Sequence, residues 1–296
     1  MVYVINIFNY FVDMRRRTLQ KEEEIILVEG SYITCVYNVN DTSSATQILD
    51  NVDLFDLTQV TSIVVDGKKE AVARTHTFNT TGKHTVIFIL DMSVFHSMYC
   101  MFRGCKRLVN IDLSHFDLTN NVSFNCTFHS CINLESVDIS NQNVSKCTTL
   151  AYMFWNDDDT IVHKLHTINF QNCDFSNVTS MYGTFRGCHS LYQLNFIDLK
   201  TSTKLTTCFA LFNCCYKLPS LWLGSINTTN VTNVSYMFGS CLALTSITFK
   251  TPINNVTTYS NVFYNIKTSG MLYFPSAYSF YKLTNQLPST WRYGYA

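Results

Sequence analysis

The residues best able to bind a metal ion lie just past the middle of the 296-residue chain. Three consecutive aspartates, residues 157–159, precede His163 and His166, which form an H-x-x-H pair. Carboxylate and imidazole groups together could ligate a transition metal. However, Leu165 between the histidines belongs to the apolar repeat described below, and no fourth ligand is fixed. We therefore predict a surface loop, no metal centre and no cofactor, with a metal cluster as the alternative.

Thiol chemistry is the second candidate, because the chain has twelve cysteines. No C-x-x-C pair typical of a zinc site is present. Five cysteines recur in register, so their Cβ vectors should be parallel on neighbouring repeats, which suits a disulfide poorly. Free cysteine packs as a small apolar residue. We predict a buried cysteine ladder, with disulfides or metal ligation as alternatives, formed by Cys105, Cys131, Cys188, Cys215 and Cys241.

Other classes of function have little support in the sequence. There is no G-x-S-x-G, G-x-G-x-x-G or Walker motif, and the eight histidines are scattered. We therefore predict that the protein is not an enzyme. The 21 basic and 21 acidic residues cancel, which argues against a nucleic-acid partner. No apolar run reaches the 18 residues of a transmembrane helix, so we predict no membrane span.

A row of outward-facing side chains is the best candidate for binding. In each repeat, one residue stands between the two apolar positions of the strand. The residues two positions earlier form a second polar row, to which Gln193 belongs. An outward tryptophan beside amide groups could stack on a sugar ring or anchor a protein. Alternatively, Trp222 packs under a loop or lies in a contact between two copies. The predicted binding residues are Asp112, Asp138, Asn169, Gln193, Asn195, Trp222 and Thr248.

The element that positions these residues is a repeat, F-x-x-C-x-x-L-x-x-I-x-L. Its phenylalanines are separated by 26, 26, 31, 27, 26 and 25 residues, and they are Phe102, Phe128, Phe154, Phe185, Phe212, Phe238 and Phe263. A period of 20–29 residues containing L-x-x-L-x-L is the signature of a leucine-rich repeat. The I-x-L pair alternates with period two, which predicts a short parallel strand. We therefore predict an α/β repeat protein, a leucine-rich-repeat solenoid with short parallel strands.

Asparagine and threonine also recur in the step that opens each repeat. The resulting N-x-[ST] triplets include those at Asn177, Asn230, Asn233 and Asn255. An asparagine in a turn with a hydroxyl that bonds the backbone is enough to explain them. We predict a structural role, so that glycosylation need not be invoked.

The repeats resemble a known family. "NVTSMYGTFRGCHSLYQLNFIDL" (177–199) and "NVTNVSYMFGSCLALTSITF" (230–249) are similar to the 26-residue leucine-rich repeats of BspA-like bacterial surface proteins. The resemblance covers about residues 91–265. It implies non-catalytic adhesion to a protein or glycan at a cell surface. Similar segments in phage proteins of gut bacteria give the alternative, a tail-fibre or receptor-binding component of a virion. A homo-oligomer is compatible with both.

The ends of the chain differ from the repeats. Residues 1–30 are predicted to be a leader or extension; their apolar stretch precedes the arginines, unlike a signal peptide. This departs from the cell-surface pattern, whereas a virion protein needs no signal. Residues 31–90 predict a small antiparallel β module, and residues 91–265 the solenoid. Residues 266–296 predict an aromatic cap, with an aromatic binding platform as the alternative; its aromatics include Tyr273, Phe274, Tyr278 and Trp291.

Overall fold

The computed structural model describes residues 31–158, 160–196, 200–275 and 281–295. The predicted leader, residues 1–30, lies outside the described residues. The first part of the described chain is an antiparallel sheet with the strand order β4-β3-β6-β1-β7. The strands are β1 (Ser31–Val39), β3 (Val60–Val65), β4 (Lys68–Glu70), β6 (Gly82–Leu90) and β7 (Leu108–Asp112).

Short elements complete this region. A two-stranded antiparallel pair joins β2 (Thr46–Gln47) to β5 (Thr75–His76), and a 3₁₀ helix covers Leu57–Gln59. Asp66 and Gly67 form the two-residue turn between β3 and β4, both with positive φ, 47° and 83°. Positive φ at both positions is what a type I′ hairpin requires, and Asp-Gly supplies it at low cost.

Each repeat forms one turn of the stacked structure, which we call a coil. The first coil is attached to this sheet. Strand β7 carries the L-x-x-I positions of the first repeat and pairs antiparallel with β1, so that Cys35 lies opposite Ile111. The antiparallel sheet therefore covers the open end of the stack of repeats, where a core would otherwise face water.

The remaining strands are parallel. One sheet contains β8 (Ser136–Asp138), β9 (Thr167–Asn169) and β11 (Gln193–Asn195), and another contains β13 (Ser220–Leu223), β14 (Ser246–Phe249), β15 (Met271–Phe274) and β16 (Arg292–Tyr295). A short pair joins β10 (Asp174–Phe175) to β12 (Lys200–Thr201). Equivalent repeat positions lie opposite each other, as Leu221 does to Ile247. We call this the strand side.

On the other side of each coil, which we call the turn side, the phenylalanines form the core. Their rings stack in series, with centroid separations of 5.4–6.1 Å and interplanar angles of 12° or less. The first six are at most 1% exposed and Phe263 is 4% exposed. Parallel bridges also link successive coils, from Ser123 through Thr149, Ser180, Thr207 and Asn233 to Thr258.

The predicted α/β class is wrong, because the protein is nearly all β, with about 2% helix. Among the described residues, the helical elements are the 3₁₀ helix and α1 (Tyr281–Thr284). The turn side, where a leucine-rich-repeat solenoid could place helices, holds tight turns instead. The chain is therefore not the α/β leucine-rich-repeat solenoid that its L-x-x-L-x-L phrase predicts.

The physical reason is left-handed residues beside the phenylalanine of every coil, two in each coil but the third, which has one. Residues two positions before the phenylalanine have φ of 50–58°, and those two positions after it are left-handed in every coil but the third. An α-helix of L-amino acids cannot continue through such residues. The first set comprises Cys100, Cys126, Tyr152, Gly183, Ala210, Tyr236 and Asn261.

The cysteine ladder is buried and its thiols are free. Each thiol beyond the first coil donates to the carbonyl oxygen of the phenylalanine in the preceding coil. The Sγ–O distances are 3.0 Å for Cys131, 3.6 Å for Cys188, 3.2 Å for Cys215 and 3.1 Å for Cys241. A thiol is a weak donor. Cysteine therefore both fills the core and links neighbouring coils.

The asparagines of the N-x-[ST] step link coils as well. Asn177 Nδ2 donates to Ser145 O at 2.8 Å, and Asn230 Nδ2 donates to Thr203 O at 2.7 Å. Thr232 Oγ1, in the triplet of Asn230, donates to Thr206 O at 3.1 Å. These bonds supply the structural role that we predicted for the triplets.

Trp291 lies at the end of the stack. It is 6% exposed, its ring is 6.5 Å from that of Phe263, and its Nε1 donates to Lys267 O at 2.7 Å. Phe274 is also buried, whereas Tyr273 is half-buried on the outer face of β15. Tyr278 lies outside the described residues.

In the part of the chain that the structure describes, no helix has the length and apolar character needed to cross a membrane.

Candidate binding surface

The predicted binding residues fall into three groups. Asp112 is on β7, in the antiparallel sheet. Asp138, Asn169 and Asn195 lie opposite one another on β8, β9 and β11, with Gln193 in the companion row. The third group is in a separate sheet and consists of Trp222 and Thr248, which are opposite each other on β13 and β14. The structure thus does not assemble the predicted residues into one continuous sheet.

The acidic and amide side chains of the first strands close turns. Asp112, Asp138 and Asn169 each accept a hydrogen bond from the backbone N–H two residues on, at 2.9, 2.8 and 3.1 Å. This is the local bond that makes Asp and Asn favourable in turns. Asn169 Nδ2 also donates to Asp138 Oδ2 at 3.1 Å. Their main interactions are therefore within the protein.

The charge of Asp138 is stabilised in the same way. Partial burial acts to raise the pKa of its carboxyl group, but hydrogen bonds from Ser140 and Asn169 outweigh it and lower the pKa. Hydrogen bonds to the charged form of a carboxylate favour that form. Asp138 is therefore an ionised turn residue.

The side chains on β11 differ from each other. Asn195 is half-buried and its Nδ2 donates to Gln171 Oε1 at 3.4 Å. Gln193 is exposed on the same strand. Gln193 is therefore the more accessible of the two amides for a partner.

Trp222 is exposed and its ring lies against a glycine. The side chain is 52% exposed. Its indole lies against Gly224, where an added Cβ would be only 2.1 Å from Cζ2 of the ring. A glycine at this position therefore permits the observed ring position. The indole presents half its surface to solvent without lying under a loop, in contrast to one of the predicted alternatives.

The neighbours of Trp222 complete a surface of mixed chemistry. Thr248 on β14 and Tyr273 on β15 continue the row of Trp222. In the adjacent row, Ser220 lies opposite Ser246, and Met271 lies opposite Arg292. The alternating residues Leu221, Ile247 and Leu272 are buried, so these rows face outward. We define the tryptophan face as Ser220, Trp222, Ser246, Thr248, Tyr273 and Arg292.

This face can bind a polar ring in three ways. The indole offers an apolar aromatic surface, and the phenol of Tyr273 adds a second ring with a hydroxyl group. The hydroxyls of Ser220, Ser246 and Thr248 can both donate and accept hydrogen bonds. Arg292 is exposed at the edge strand and can pair with a carboxylate.

Sequence reasoning missed Tyr273 and Arg292 as members of this face. Positions nine and eleven after Phe263 are Leu272 and Phe274, which match the strand positions of the repeat. Extending the pattern would therefore have placed Tyr273 in the outward row. Arg292 follows α1 and has no repeat phrase before it, so the sequence contains no comparable signal.

A second row of aromatic residues on the turn side is packed differently. Tyr182 stacks on Phe209 with ring centroids 4.4 Å apart, and Tyr152 is tilted by 39° against Tyr182 at 5.0 Å. Tyr236 follows at 6.0 Å from Phe209. Because ring faces cover each other, this row is less suited than Trp222 to stack on a ligand.

The fold separates the residues of the alternative metal site. His163 is fully buried, whereas His166 is half-buried, beside Thr167 Oγ1 at 3.0 Å. Asp157 lies 3.4 Å from His129 Nε2, and Asp159 lies outside the described residues. Among the residues with described positions, no group of three or more His, Cys, Asp or Glu could hold a metal ion.

A cleft of about 330 Å³ lies between the β1–β2 loop and the first coil. Its carboxylate, Asp41, accepts hydrogen bonds from Ser43 N at 2.8 Å and from Ser43 Oγ at 2.6 Å. These bonds from Ser43 lower the pKa of Asp41. Lys106 and Arg107 also line the cleft, which the sequence did not predict. The carboxylate is engaged in its own loop, which leaves the two cations as the polar groups best able to meet a ligand.

Comparison with known proteins gives one family. The sequence model of the family described as "Mycoplasma protein of unknown function, DUF285" matches residues 69–172 and 160–271, together more than half of the chain. The matched segments run from β4 to the start of β15. No curated protein and no solved structure matches the chain.

Proposed function

We propose that this chain, which belongs to the DUF285 family of Mycoplasma proteins of unknown function, is a non-catalytic binding protein that contacts a glycan or protein through its tryptophan face. The supporting observation is the position of Trp222, half exposed in an ordered sheet and held against Gly224. An aromatic side chain that is already ordered loses little conformational freedom when a partner binds.

A glycan is the partner that best suits the chemistry of this face. The apolar side of a sugar ring can stack on the indole, while its hydroxyls exchange hydrogen bonds with Ser220 and Ser246. Arg292 lies on β16, three strand spacings or roughly 14 Å from Trp222. It would favour a glycan in which a neighbouring sugar carries a carboxylate, because a guanidinium can donate two parallel bonds to it. A protein partner would use the same surface, with Trp222 as the central anchor.

We place this activity at an exposed surface, where adhesion to another cell is the function. The family match agrees coarsely with the resemblance to BspA-like surface proteins. Fractionation of the native source tests the location by mass spectrometry. Recovery with the cell envelope supports adhesion by the cell, recovery with virions supports a receptor-binding role, and recovery from the cytosol contradicts both.

The binding proposal is tested with the full chain on a glycan array and on immobilised surface proteins of host cells. We expect Trp222→Ala to weaken the strongest interaction by roughly 30-fold or more, the effect of removing an anchor residue. Tyr264→Ala is the matched control, because it removes a 61% exposed aromatic side chain from the turn side, outside the tryptophan face. Equal binding by Trp222→Ala and the unaltered protein would contradict the proposal.

Gly224→Ala provides a second test that keeps the tryptophan. The added methyl group would overlap the indole and displace it. We expect weaker binding with little loss of stability, since residue 224 does not have positive φ. Unchanged binding would show that the position of the ring against Gly224 is not required.

A further inference from the structure

One pair of cysteines differs from the rest. Cys100 and Cys126 are two residues before Phe102 and Phe128, outside the ladder that donates to the phenylalanine carbonyls. Cys126 is the only cysteine that is not buried; Cys100 is 1% exposed, and Tyr99, which precedes it in the chain, is 39% exposed. The structure thus gives this pair an opening to solvent that the ladder lacks.

The backbone holds these two residues side by side. Cys100 N donates to Asn125 O and Phe102 N donates to Thr127 O, both at 3.0 Å, and the two acceptors flank Cys126. Both cysteines have φ of 56°. Strands bonded in this way are about 4.8 Å apart. This separation is within the range of about 4.4–6.8 Å that Cα atoms adopt in disulfides. The two thiols are also hydrogen-bonded to each other, whereas the ladder thiols beyond the first coil are bonded to phenylalanine carbonyl oxygens.

The surroundings favour a thiolate at one member of this pair, Cys100. A hydrogen bond from the Cys126 thiol lowers the pKa of Cys100, against the effect of burial, and Tyr99 and Arg103 act in the same direction. The same hydrogen bond, together with burial, raises the pKa of the donor Cys126, so Cys100 is the attacking thiolate. By contrast, burial raises the pKa of the ladder cysteine Cys188. Because a thiolate is the reactive form of cysteine, the pair should be more reactive than the ladder.

We propose that Cys100 and Cys126 form a thiol–disulfide exchange site that is oxidised by organic disulfides. This inference concerns a different part of the molecule from the tryptophan face and does not depend on it. Oxidation would join the first and second coils covalently.

The exchange has two steps. One cysteine, as a thiolate, attacks an organic disulfide, forms a mixed disulfide and expels one thiolate. The second cysteine then loses its proton to solvent and attacks the sulfur of the first, which expels the other thiolate. Two electrons pass from the cysteine pair to the organic disulfide, which leaves as two thiols. The protein loses two protons and gains one S–S bond.

Ellman's reagent, an aromatic disulfide, tests the proposal on the native full chain. We expect rapid release of two equivalents of thionitrobenzoate, no retained adduct, and a protein mass lower by two hydrogen atoms. Peptide mapping should identify a link between Cys100 and Cys126. The other ten cysteines should react only after denaturation. Absence of fast thiols, or a disulfide between other cysteines, would overturn the proposal.

Two variants make the result specific. Cys126→Ser should release at most one equivalent, with an adduct retained on Cys100, because no second thiol can resolve it. The matched control is Cys208→Ser, which removes a fully buried cysteine elsewhere and should still release two equivalents. Two fast equivalents from Cys126→Ser would overturn the proposal. If that variant does not fold, Cys100→Ala is used with the same expectation, its adduct then on Cys126.

Discussion

The turn side and the strand side of the coils are built from the same repeat but use their side chains differently. On the turn side, phenylalanine rings stack on one another and cysteine thiols donate to the preceding coil. On the strand side, Trp222 is half exposed and rests on a glycine instead of another aromatic ring. The positions that hold the same residue type in most repeats are the ones that pack in the core. The outward-facing row of the strands changes from an amide at Asn195 to an indole at Trp222, and this change marks the candidate binding surface.

The largest expected difference between the two sides is in stability. Phe185 is 1% exposed, and its ring lies 5.8 Å from that of Phe154 and 5.4 Å from that of Phe212. We expect Phe185→Ala to lower the free energy of unfolding by about 3–5 kcal/mol, because it leaves a cavity in the stack. Denaturant unfolding measures it, and Tyr192→Ala, which removes a 54% exposed ring, is the control. A cost below about 1 kcal/mol would show that the stack is not the core.

The second largest expected effect is a loss of stability in acid, caused by the buried histidine His163. Burial, with a smaller effect of His189, lowers the pKa of His163 to about 3, from 6.5. Between these values the unfolded state binds more protons, so stability falls as pH decreases from 6.5 towards 3. The loss from His163 has a slope of up to about 1.4 kcal/mol per pH unit.

Unfolding measured at several pH values, in the unaltered protein and in His163→Leu, tests this sign. We expect a flatter pH dependence in the variant over this range. His96→Gln, which changes an exposed histidine, should keep the original slope. Parallel curves for His163→Leu and the unaltered protein would contradict a buried, neutral His163.

A smaller effect distinguishes two positions of the cysteine ladder. The thiol of Cys131 is 3.0 Å from its carbonyl acceptor, whereas that of Cys188 is 3.6 Å from its acceptor. We expect Cys188→Ser to cost about 1–3 kcal/mol, because the buried hydroxyl is poorly bonded. Cys131→Ser should cost less, since its hydroxyl keeps a nearer acceptor. Calorimetric melting of both variants measures the difference, and the reverse order would contradict the role of these bonds.

The smallest expected effect on stability is at the candidate binding residue. Trp222→Ala removes a half-exposed ring from a strand whose Leu221 and Leu223 stay buried. We expect a change of about 0.5 kcal/mol or less, typical of surface positions, while binding is lost. A cost comparable to that of Phe185→Ala would mean that Trp222 is part of the packing, and the contrast between the two sides would fail.

The sequence predicted the repeated elements well because their signals are local and periodic. The buried cysteines and the short parallel strands of the I-x-L positions occur where the repeat predicts them, and the phenylalanines of the repeat form the core. The α/β class was wrong because the left-handed positions are occupied by Cys, Tyr, Gly, Ala and Asn in different coils. Only some of these residue types favour positive φ on their own, so no common letter marks the turn.

The candidate site was only partly predictable. The alternation of β13 placed Trp222 outward, and the structure agrees. The turn-closing role of Asp112, Asp138 and Asn169 could not be separated from a binding role, because the same residue types do both. The break between β11 and β13, which belong to consecutive coils, and the contribution of Arg292 depend on how the coils pack against each other. A pattern of period 26 does not specify that packing.

The backbone bonds between coils also have a mechanical consequence. Each coil is bonded to the coils on either side, so tension applied at the two ends would act on these bonds one coil at a time. An extended residue spans about 3.3–3.6 Å, so release of one 26-residue coil would lengthen the chain by roughly 80–90 Å. Single-molecule stretching should record regular steps of this size. A protein that tethers a surface to a partner would then yield gradually under load while its remaining coils stay folded.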